Sequence, residues 1–291
     1  MTDDTRTVSP ELLEHLRGWQ GRSETLHDWI TAAPVRGLAA TLDRDDRAAV
    51  AGDELPPLAH WLFFLPQHRQ SEIGIDGHPR RGGFLPPVPL PRRMWAGGRL
   101  DFHHPLRLGD EITRRSRIAG VDIKHGRSGA LVFVTVRHEV HNAQGLAIAE
   151  EHDIVYRDAP AVDAVAPPPQ AAPAGETFSR RITPDPVLLF RYSALTFNSH
   201  RIHYDRPYVT EVEGYPGLIV HGPLIATLLL DLLRRERPDV RVKRFSFKAL
   251  RPVFDLHTFT VCGRFETASS AQLWTRDHEG WLTMQATAEL G

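Results

Sequence analysis

The sequence has one cysteine and no long apolar segment, and each scarcity removes a class of protein. A lone cysteine, Cys262, allows no intrachain disulfide, which fits a reducing compartment. The longest apolar run, residues 222–233, is interrupted by Thr227 and Asp231. It falls short of the roughly 20 residues that span a bilayer. Residues 1–16 are polar and lack the apolar core of a signal peptide. We therefore expect a cytoplasmic protein.

The chain also has little net charge and little lysine. Its 35 basic and 36 acidic side chains give a formal charge of -1, so no overall field favours nucleic acid or an anionic membrane. Only Lys124, Lys243 and Lys248 are lysine, and the remaining basic residues are arginine. Arginine suits phosphate and carboxylate ligands, although a compositional bias would give the same excess. We expect a small-molecule ligand and no nucleic-acid or membrane partner.

A segment rich in proline and alanine, residues 159–175, divides the chain. It has no apolar period and is typical of a semi-extended linker. The flanking parts, residues 1–158 and 176–291, are each long enough to form a core. The sequence therefore predicts two domains joined by a linker.

In the second domain, one apolar helix precedes a series of strands. The helix is predicted over 217–235, because Pro223 suits its first turn and leucines cover nearly all its sides, as in a buried helix. A short strand over 178–182 and an irregular polar region over 185–208 precede it. Alternating apolar residues predict the strands that follow, over 244–249, 257–265, 271–275 and 281–290. The pattern predicts a curved sheet wrapped around the helix.

The first domain shows a related pattern. An apolar stretch over 55–65 is predicted as the matching helix, and residues 78–98, rich in proline and glycine, as a long ordered loop or lid. Strands are predicted over 98–103, 111–119, 130–138 and 147–157. The expected class is α+β, with two related architectures in tandem but no direct sequence repeat.

The densest polar cluster, residues 192–208, lies shortly before the predicted helix. It holds four candidate residues: Asn198, His200, His203 and Asp205. A helix N-terminus presents free N–H groups that can stabilise an oxyanion, and histidine moves protons near neutral pH. These are the parts needed for proton transfer next to an activated carbonyl.

Other interpretations of this cluster remain open. Asn198 could form a loop and His203 could be a structural histidine, and either interpretation is favoured for one residue taken alone. A metal site could use His200, His203, Asp205 and His221. Because no cysteine ligand and no established metal spacing accompany them, we predict no metal.

Two motifs carry a resemblance to a known family. The run F-N-S-H-R-I-H at 197–203, followed by I-V-H-G at 219–222, resembles the signature of MaoC-like, type 2 enoyl-CoA hydratases of the hotdog fold. By this resemblance, His203 falls on the family histidine and Gly222 on the glycine whose N–H polarises the thioester carbonyl. Asn198 falls on the family aspartate and His200 on its asparagine.

The form FNSHRIHYDRPY, with the preceding HPRRGGFLPPVPLPRRMWAGG, is similar to a subgroup with two hotdog halves. Members of that subgroup are mesaconyl-C4-CoA (3-methylfumaryl-CoA) or itaconyl-CoA hydratases. The resemblance implies a tandem hotdog fold, each half a curved antiparallel sheet wrapped around a central helix. It also implies that the first half lost catalysis and supplies walls for the acyl-CoA tunnel.

The implied activity is a hydro-lyase reaction, the reversible hydration of an enoyl-CoA. Mesaconyl-C4-CoA going to citramalyl-CoA, in itaconate or C5-dicarboxylate metabolism, is the preferred case. No metal or redox cofactor is expected, and the protein is expected to be a monomer or a homodimer. A non-catalytic acyl-CoA-binding protein and a thioesterase are the alternatives.

The site residues follow from the motifs. His203, Asn198 and Gly222 are the predicted catalytic residues, and asparagine cannot accept a proton, so acid–base work is assigned mainly to His203. Asp205 either orients His203 or caps a turn. The remaining predicted substrate-binding residues are Ser193, His200, His221, Arg80, Arg81, Arg92 and Arg93, with the arginines for coenzyme A phosphates or a distal carboxylate.

Overall fold

The computed structural model describes residues 9–126, 129–158 and 168–291. The helices are α1 (Pro10–Arg17), α2 (Ala32–Thr41), α3 (Pro186–Leu195) and α4 (Gly222–Glu236). The strands of the first half are β1 (Ser23–Trp29), β2 (Arg92–Phe102), β3 (Glu111–Gly126), β4 (Gly129–Asn142) and β5 (Gly145–Arg157). Those of the second half are β6 (Phe178–Ile182), β7 (Val242–Ala249), β8 (Phe259–Thr267), β9 (Ser270–Arg276) and β10 (Leu282–Leu290).

All of these strands join one antiparallel sheet in the order β1-β3-β4-β5-β2-β7-β10-β9-β8-β6. The halves meet where β2 pairs with β7, with Gly98 opposite Phe247. A Cβ at Gly97 would lie 2.6 Å from the backbone oxygen of Phe247, and one at Gly98 would lie 2.9 Å from the Phe247 ring. Glycine at these two positions therefore permits the close approach of the two halves.

The buried helix of the second half is confirmed. Residues 224–233 of α4 are all buried, against β6, β8, β9 and β10. The helix begins at Gly222 and not at 217, because the chain before it is extended: Ile219 bridges Phe254, and the N–H of Val220 donates to Val253. The predicted strands of both halves are also confirmed, although β2 begins six residues before its predicted start and β3 ends seven residues after its predicted end.

The matching helix predicted over 55–65 is wrong. Only a single 3₁₀ turn, Ala59–Leu62, forms there. Leu58, which precedes the turn, has a left-handed backbone (φ 67°), so a regular right-handed helix cannot run through it. The regular helix of the first half is α2, which the sequence analysis missed and which packs against α3.

The polar region predicted as irregular over 185–208 also contains a helix. Asp185 caps α3 by accepting from the N–H of Leu188 at 2.8 Å, and Pro186 occupies its first turn. An aspartate followed by proline is a readable start signal for a helix. The segment predicted as a loop over 78–98 ends in strand, since β2 begins at Arg92.

The predicted domain boundary falls between β5 and β6. Residues 159–167 of the predicted linker lie outside the described residues. The rest of the segment contacts the second half: the backbone oxygen of Gln170 accepts from Leu282, and Ala171 bridges Trp281. Within the described ranges, no helix has the length and hydropathy needed to cross a membrane.

A buried aspartate ties the two halves together beside α4. Asp231 is 6% exposed and pairs with Arg44 of the first half at 2.9 Å. Arg235, one turn along the helix, lies 2.8 Å away, and Arg180 of β6 lies 3.4 Å away. A buried carboxylate with three guanidinium partners is compensated in charge.

Candidate active site

A cavity of about 370 Å³ opens at the N-terminal end of α4. The structure brings together there most of the residues that the motifs select: Asn198, His200, His203 and Gly222, with Arg92 and Arg93. A cavity of about 480 Å³ lies at the other end of α4 but is lined by none of these six residues. The motif cavity is therefore the candidate active site.

His203 is prepared to accept a proton. Its Nδ1 lies 2.7 Å from the backbone oxygen of Ile219. A carbonyl oxygen can only accept, so Nδ1 carries the hydrogen of the neutral ring and Nε2 keeps a lone pair. Nε2 has no hydrogen-bond partner among the described residues. Burial lowers the pKa of His203 to about 4, although the bond to Ile219 opposes the shift. The imidazole is thus neutral near pH 7 and available as a base.

Two predicted substrate ligands instead support His203 from behind. The ring of His221 stacks on that of His203 at 3.7 Å, and Nε2 of His221 lies 2.8 Å from Oγ of Ser193. Ser193 and His221 are buried and do not line the cavity. Their placement corrects the expected substrate-binding role, because both residues lie behind the His203 ring, where they fix its orientation.

Asn198 lines the cavity and has a side-chain amine without a described acceptor. Its Oδ1 accepts the backbone N–H of His200 at 3.0 Å, which closes a local turn after Phe197, a residue with left-handed backbone (φ 48°). The N–H of His200 needs an acceptor, so the atom of the Asn198 amide that faces it is the oxygen and not the nitrogen. The Nδ2 group has no acceptor among the described residues. Asn198 can therefore donate to a water or a substrate oxygen.

The N–H of Gly222 begins α4 and has no acceptor among the residues of the described ranges. The next residue, Pro223, has no N–H, so Gly222 is the first donor at this helix end. A Cβ at Gly222 would stand 3.7 Å from the backbone oxygen of Trp95, which is ordinary contact. Packing therefore tolerates a methyl group here, and the absence of one keeps the space beside the N–H open.

His200 lines the cavity, but Asp205 does not. Burial, aided by the neighbouring His203 and the charge of Arg93, lowers the pKa of His200 to about 2. The carboxylate of Asp205 lies 2.7 Å from Arg201 and caps the N–H of Tyr208 at 3.2 Å. Of the two roles left open for Asp205, the structure shows the turn cap, and its expected role in binding substrate is not supported.

The four-residue metal set considered from the sequence does not assemble. Of its members, only His200 belongs to a group of close ligand atoms in the described chain, and its neighbours there are Asp76 and His78. The aspartate of the set, Asp205, is engaged by Arg201 as described above.

The four predicted arginines differ in whether they line the cavity and in whether their charge has a partner. Arg80 is exposed and does not line the cavity, and Arg81 donates to backbone oxygens of residues 88–91 within its own loop. Arg92 lines the cavity but is engaged by Glu213 at 3.6 Å and by Tyr215. Arg93 lines the cavity and has no acidic or hydrogen-bond partner among the described residues.

Several cavity residues were missed from the sequence, and most come from the first half: His78, Trp95, His152 and Arg157, with Arg251 from the second. His78 is brought in by a loop that docks at Gly77, where a Cβ would lie 1.8 Å from the backbone oxygen of Ser199. The N–H of Arg201 donates to Asp76 in the same contact. Such approaches depend on tertiary pairing, and no local pattern marks them.

Comparisons with known proteins give the family. The family model of hydroxyacyl-thioester dehydratase type 2 matches residues 58–255, more than half of the chain. The chain belongs to this family. The mesaconyl-C(4)-CoA hydratase of Chloroflexus aurantiacus is 48% identical over 276 residues, which cover 94% of this chain and 97% of that protein.

Other members and neighbours agree. The mitochondrial hydroxyacyl-thioester dehydratase type 2 of Schizosaccharomyces pombe is 29% identical, over 86% of this chain and 91% of its own. A double-hotdog protein of Mycobacterium tuberculosis superposes with a TM-score of 0.60 at 14% identity, over 94% of this chain and 96% of that one. The expected tandem hotdog fold is confirmed, and this member of the dehydratase family is a hydro-lyase.

Proposed function

We propose that the protein hydrates mesaconyl-C4-CoA (3-methylfumaryl-CoA) reversibly to citramalyl-CoA. The observation that carries this proposal is the joint placement of His203, Asn198 and the Gly222 N–H on one cavity. The 48% identity to a mesaconyl-C(4)-CoA hydratase supports the choice of acyl group. Itaconate or C5-dicarboxylate metabolism, a cytoplasmic location and a monomer or homodimer belong to the same proposal.

In the proposed reaction, the thioester oxygen accepts from the N–H of Gly222. This bond at the positive end of α4 draws electron density from the double bond and makes the β-carbon electrophilic. A water held by Asn198 attacks that carbon, and Nε2 of His203 takes its proton. Addition of water needs no metal or redox cofactor.

Arg93 is the proposed partner of the distal carboxylate. It is the predicted cavity arginine whose charge is uncompensated by any described residue, whereas Arg92 is paired with Glu213. It lies close enough to lower the pKa of His78 and of His200, which are otherwise depressed by burial. Arg157 and Arg251 also line the cavity without a described acidic partner and are proposed for the coenzyme A phosphates.

The assay for this proposal is the loss of enoyl-thioester absorbance with mesaconyl-C4-CoA, compared with crotonyl-CoA, which has no distal carboxylate. Arg93→Gln should raise KM for mesaconyl-C4-CoA by about 10- to 100-fold, the value of a charge-assisted hydrogen bond. It should leave crotonyl-CoA nearly unaffected. Arg181→Gln, at an exposed arginine outside the cavity, is the control. Equal losses on both substrates would contradict the role of Arg93.

A thermal melt with acyl-CoA and an assay for free thiol address the alternatives. A non-catalytic acyl-CoA-binding protein would be stabilised by ligand and form no product. A thioesterase would release free coenzyme A thiol. Neither outcome is compatible with the proposed hydration.

A further inference from the structure

A buried carboxylate of the first half lies behind the active-site cavity. Glu150 of β5 is 3% exposed. Its Oε2 accepts from Nε1 of Trp61 at 3.0 Å and lies 3.1 Å from Nε2 of His60. Its Oε1 lies 3.2 Å from Nε2 of His152. Burial alone would raise the pKa of Glu150, but His152 and His60 outweigh it and hold the pKa well below its usual range.

His152 connects this carboxylate to the substrate cavity. Glu150 and His152 are two residues apart on β5, so both side chains lie on one face of the sheet. The Nε2 atom of His152 is buried near Glu150 but makes no hydrogen bond among the described residues, and Nδ1 has no described partner either. The ring packs on Trp95 at 3.9 Å. It lines the 370 Å³ cavity together with His203 and Gly222.

A smaller cavity of about 230 Å³ confirms the connection. It is lined by Glu150 and His60, and it shares Trp95, His152, Asn198 and Pro223 with the active-site cavity. The wall between the two cavities thus contains His152 from the first half and Asn198 from the second half. His152 therefore lines the cavity in which the substrate would lie.

Hydration needs two proton transfers, and the motif residues account for one. His203 removes a proton from water, but the α-carbon must also receive one. Asn198 cannot supply it, because an amide neither accepts nor releases a proton in this range. Burial keeps His200 and His78 neutral, so neither is a ready acid. His152 is the histidine of this cavity that lies beside a buried carboxylate, with its Nε2 3.2 Å from Oε1 of Glu150.

We propose that His152 is a second catalytic residue, the acid that protonates the α-carbon, and that Glu150 is its positioning residue. Water forms a bond to the β-carbon as its proton passes to Nε2 of His203. The electron pair of the double bond moves to the α-carbon and takes the proton from Nδ1 of His152. His203 then releases its proton to solvent and His152 regains one, so the balance is the addition of one water. The inference rests on the proposed hydration.

The test is the pH dependence of kcat/KM for a substrate that the wild-type protein hydrates. A base at His203 and an acid at His152 together predict a bell-shaped profile. His152→Gln should lower kcat by about 10²-fold or more and remove the alkaline limb. A merely structural role would lower the rate without changing the shape of the profile. The control is His27→Gln, at an exposed histidine of β1, which should retain the wild-type profile.

Glu150→Gln separates positioning from proton transfer. It should keep the alkaline limb but move it to lower pH, because the amide removes the negative charge beside His152. The other titratable groups around His152 are His138 of β4, Arg114 of β3 and His60 of the 3₁₀ turn, and they are unchanged in this variant.

The outcomes distinguish the two proposals. If no enoyl-CoA is hydrated by the wild-type protein, the proposed function fails. If the wild-type protein hydrates but has no alkaline limb, or His152→Gln keeps both the limb and kcat, the role of His152 is overturned while the proposed function stands. The wild-type profile decides even if the variants do not fold.

Discussion

The two halves of the molecule share one sheet design but differ in what their concave faces hold. The second half wraps its strands around α4, a buried helix of 15 residues whose first N–H meets the cavity. The first half instead has a 3₁₀ turn of 4 residues and a buried Glu150 with its histidine and tryptophan partners. A helix N-terminus that can polarise a carbonyl is present in only one of these two arrangements.

The histidines of the two halves also differ in their electrostatics. Those of the second half, His200, His203 and His221, face one another and backbone groups, and burial lowers all three pKa values. In the first half, His60 and His152 face a buried carboxylate. The three histidines of the second half are therefore kept neutral by burial, whereas two histidines of the first half lie beside negative charge.

The largest expected effect tests the neutral imidazole of the second half. His203→Ala should lower kcat/KM by about 10³-fold, because it removes the base and leaves only the carbonyl polarisation at Gly222. The measurement is initial rate of enoyl-thioester loss. The matched control, His257→Ala, removes an exposed histidine outside the cavity and should leave the rate unchanged. Full turnover by His203→Ala would contradict the assigned role.

The next effect concerns the side-chain amide of Asn198. Asn198→Ala should lower kcat by about 10²-fold, because the attacking water loses its donor and the turn loses the bond to the N–H of His200. Steady-state kinetics and a thermal melt of the same preparation check it. A variant with an unchanged melting temperature and unchanged kcat would show that Asn198 only shapes the loop.

A stability comparison contrasts the buried carboxylates of the two halves. Glu150→Ala should cost about 3 kcal/mol of unfolding free energy, because His60 and Trp61 are left without their partner in the interior. Asp231→Ala should cost less, since two of its arginines, with side chains 27% and 31% exposed, can reach water. Urea unfolding measures both. A larger loss of unfolding free energy for Asp231→Ala than for Glu150→Ala would contradict this prediction.

The smallest effect is a pH dependence of stability that arises in the second half. The pKa of His203 is about 4 and that of His200 about 2 in the folded chain, below the ordinary value of 6.5. The unfolded chain therefore binds protons first as pH falls through 6.5. The contribution of these two histidines to folding stability is fully present above pH 6.5 and is lost progressively below it. The melting temperature should fall from pH 7.5 to pH 5, and less so in His203→Gln. An equal fall of the melting temperature in the wild-type protein and in His203→Gln would contradict this contribution of His203.

Local patterns predicted the second half better than the first. The leucines of α4, the strands after it and the cluster from Asn198 to His203 all carry their signal within a few residues. The turn at Ala59–Leu62 could not be predicted so well, because an apolar run is equally suited to a buried helix or a buried loop. Likewise, E-E-H at 150–152 reads as part of an ordinary strand until pairing with β2 sets His152 beside the cavity.

The most direct test of the central claim is a crystal structure with a bound 3-hydroxyacyl-CoA product. The account predicts the thioester oxygen at hydrogen-bond distance, about 3 Å, from the N–H of Gly222, with the β-hydroxyl at Nε2 of His203. An acyl group lodged elsewhere, with the His203 ring out of reach of its β-carbon, would contradict the account.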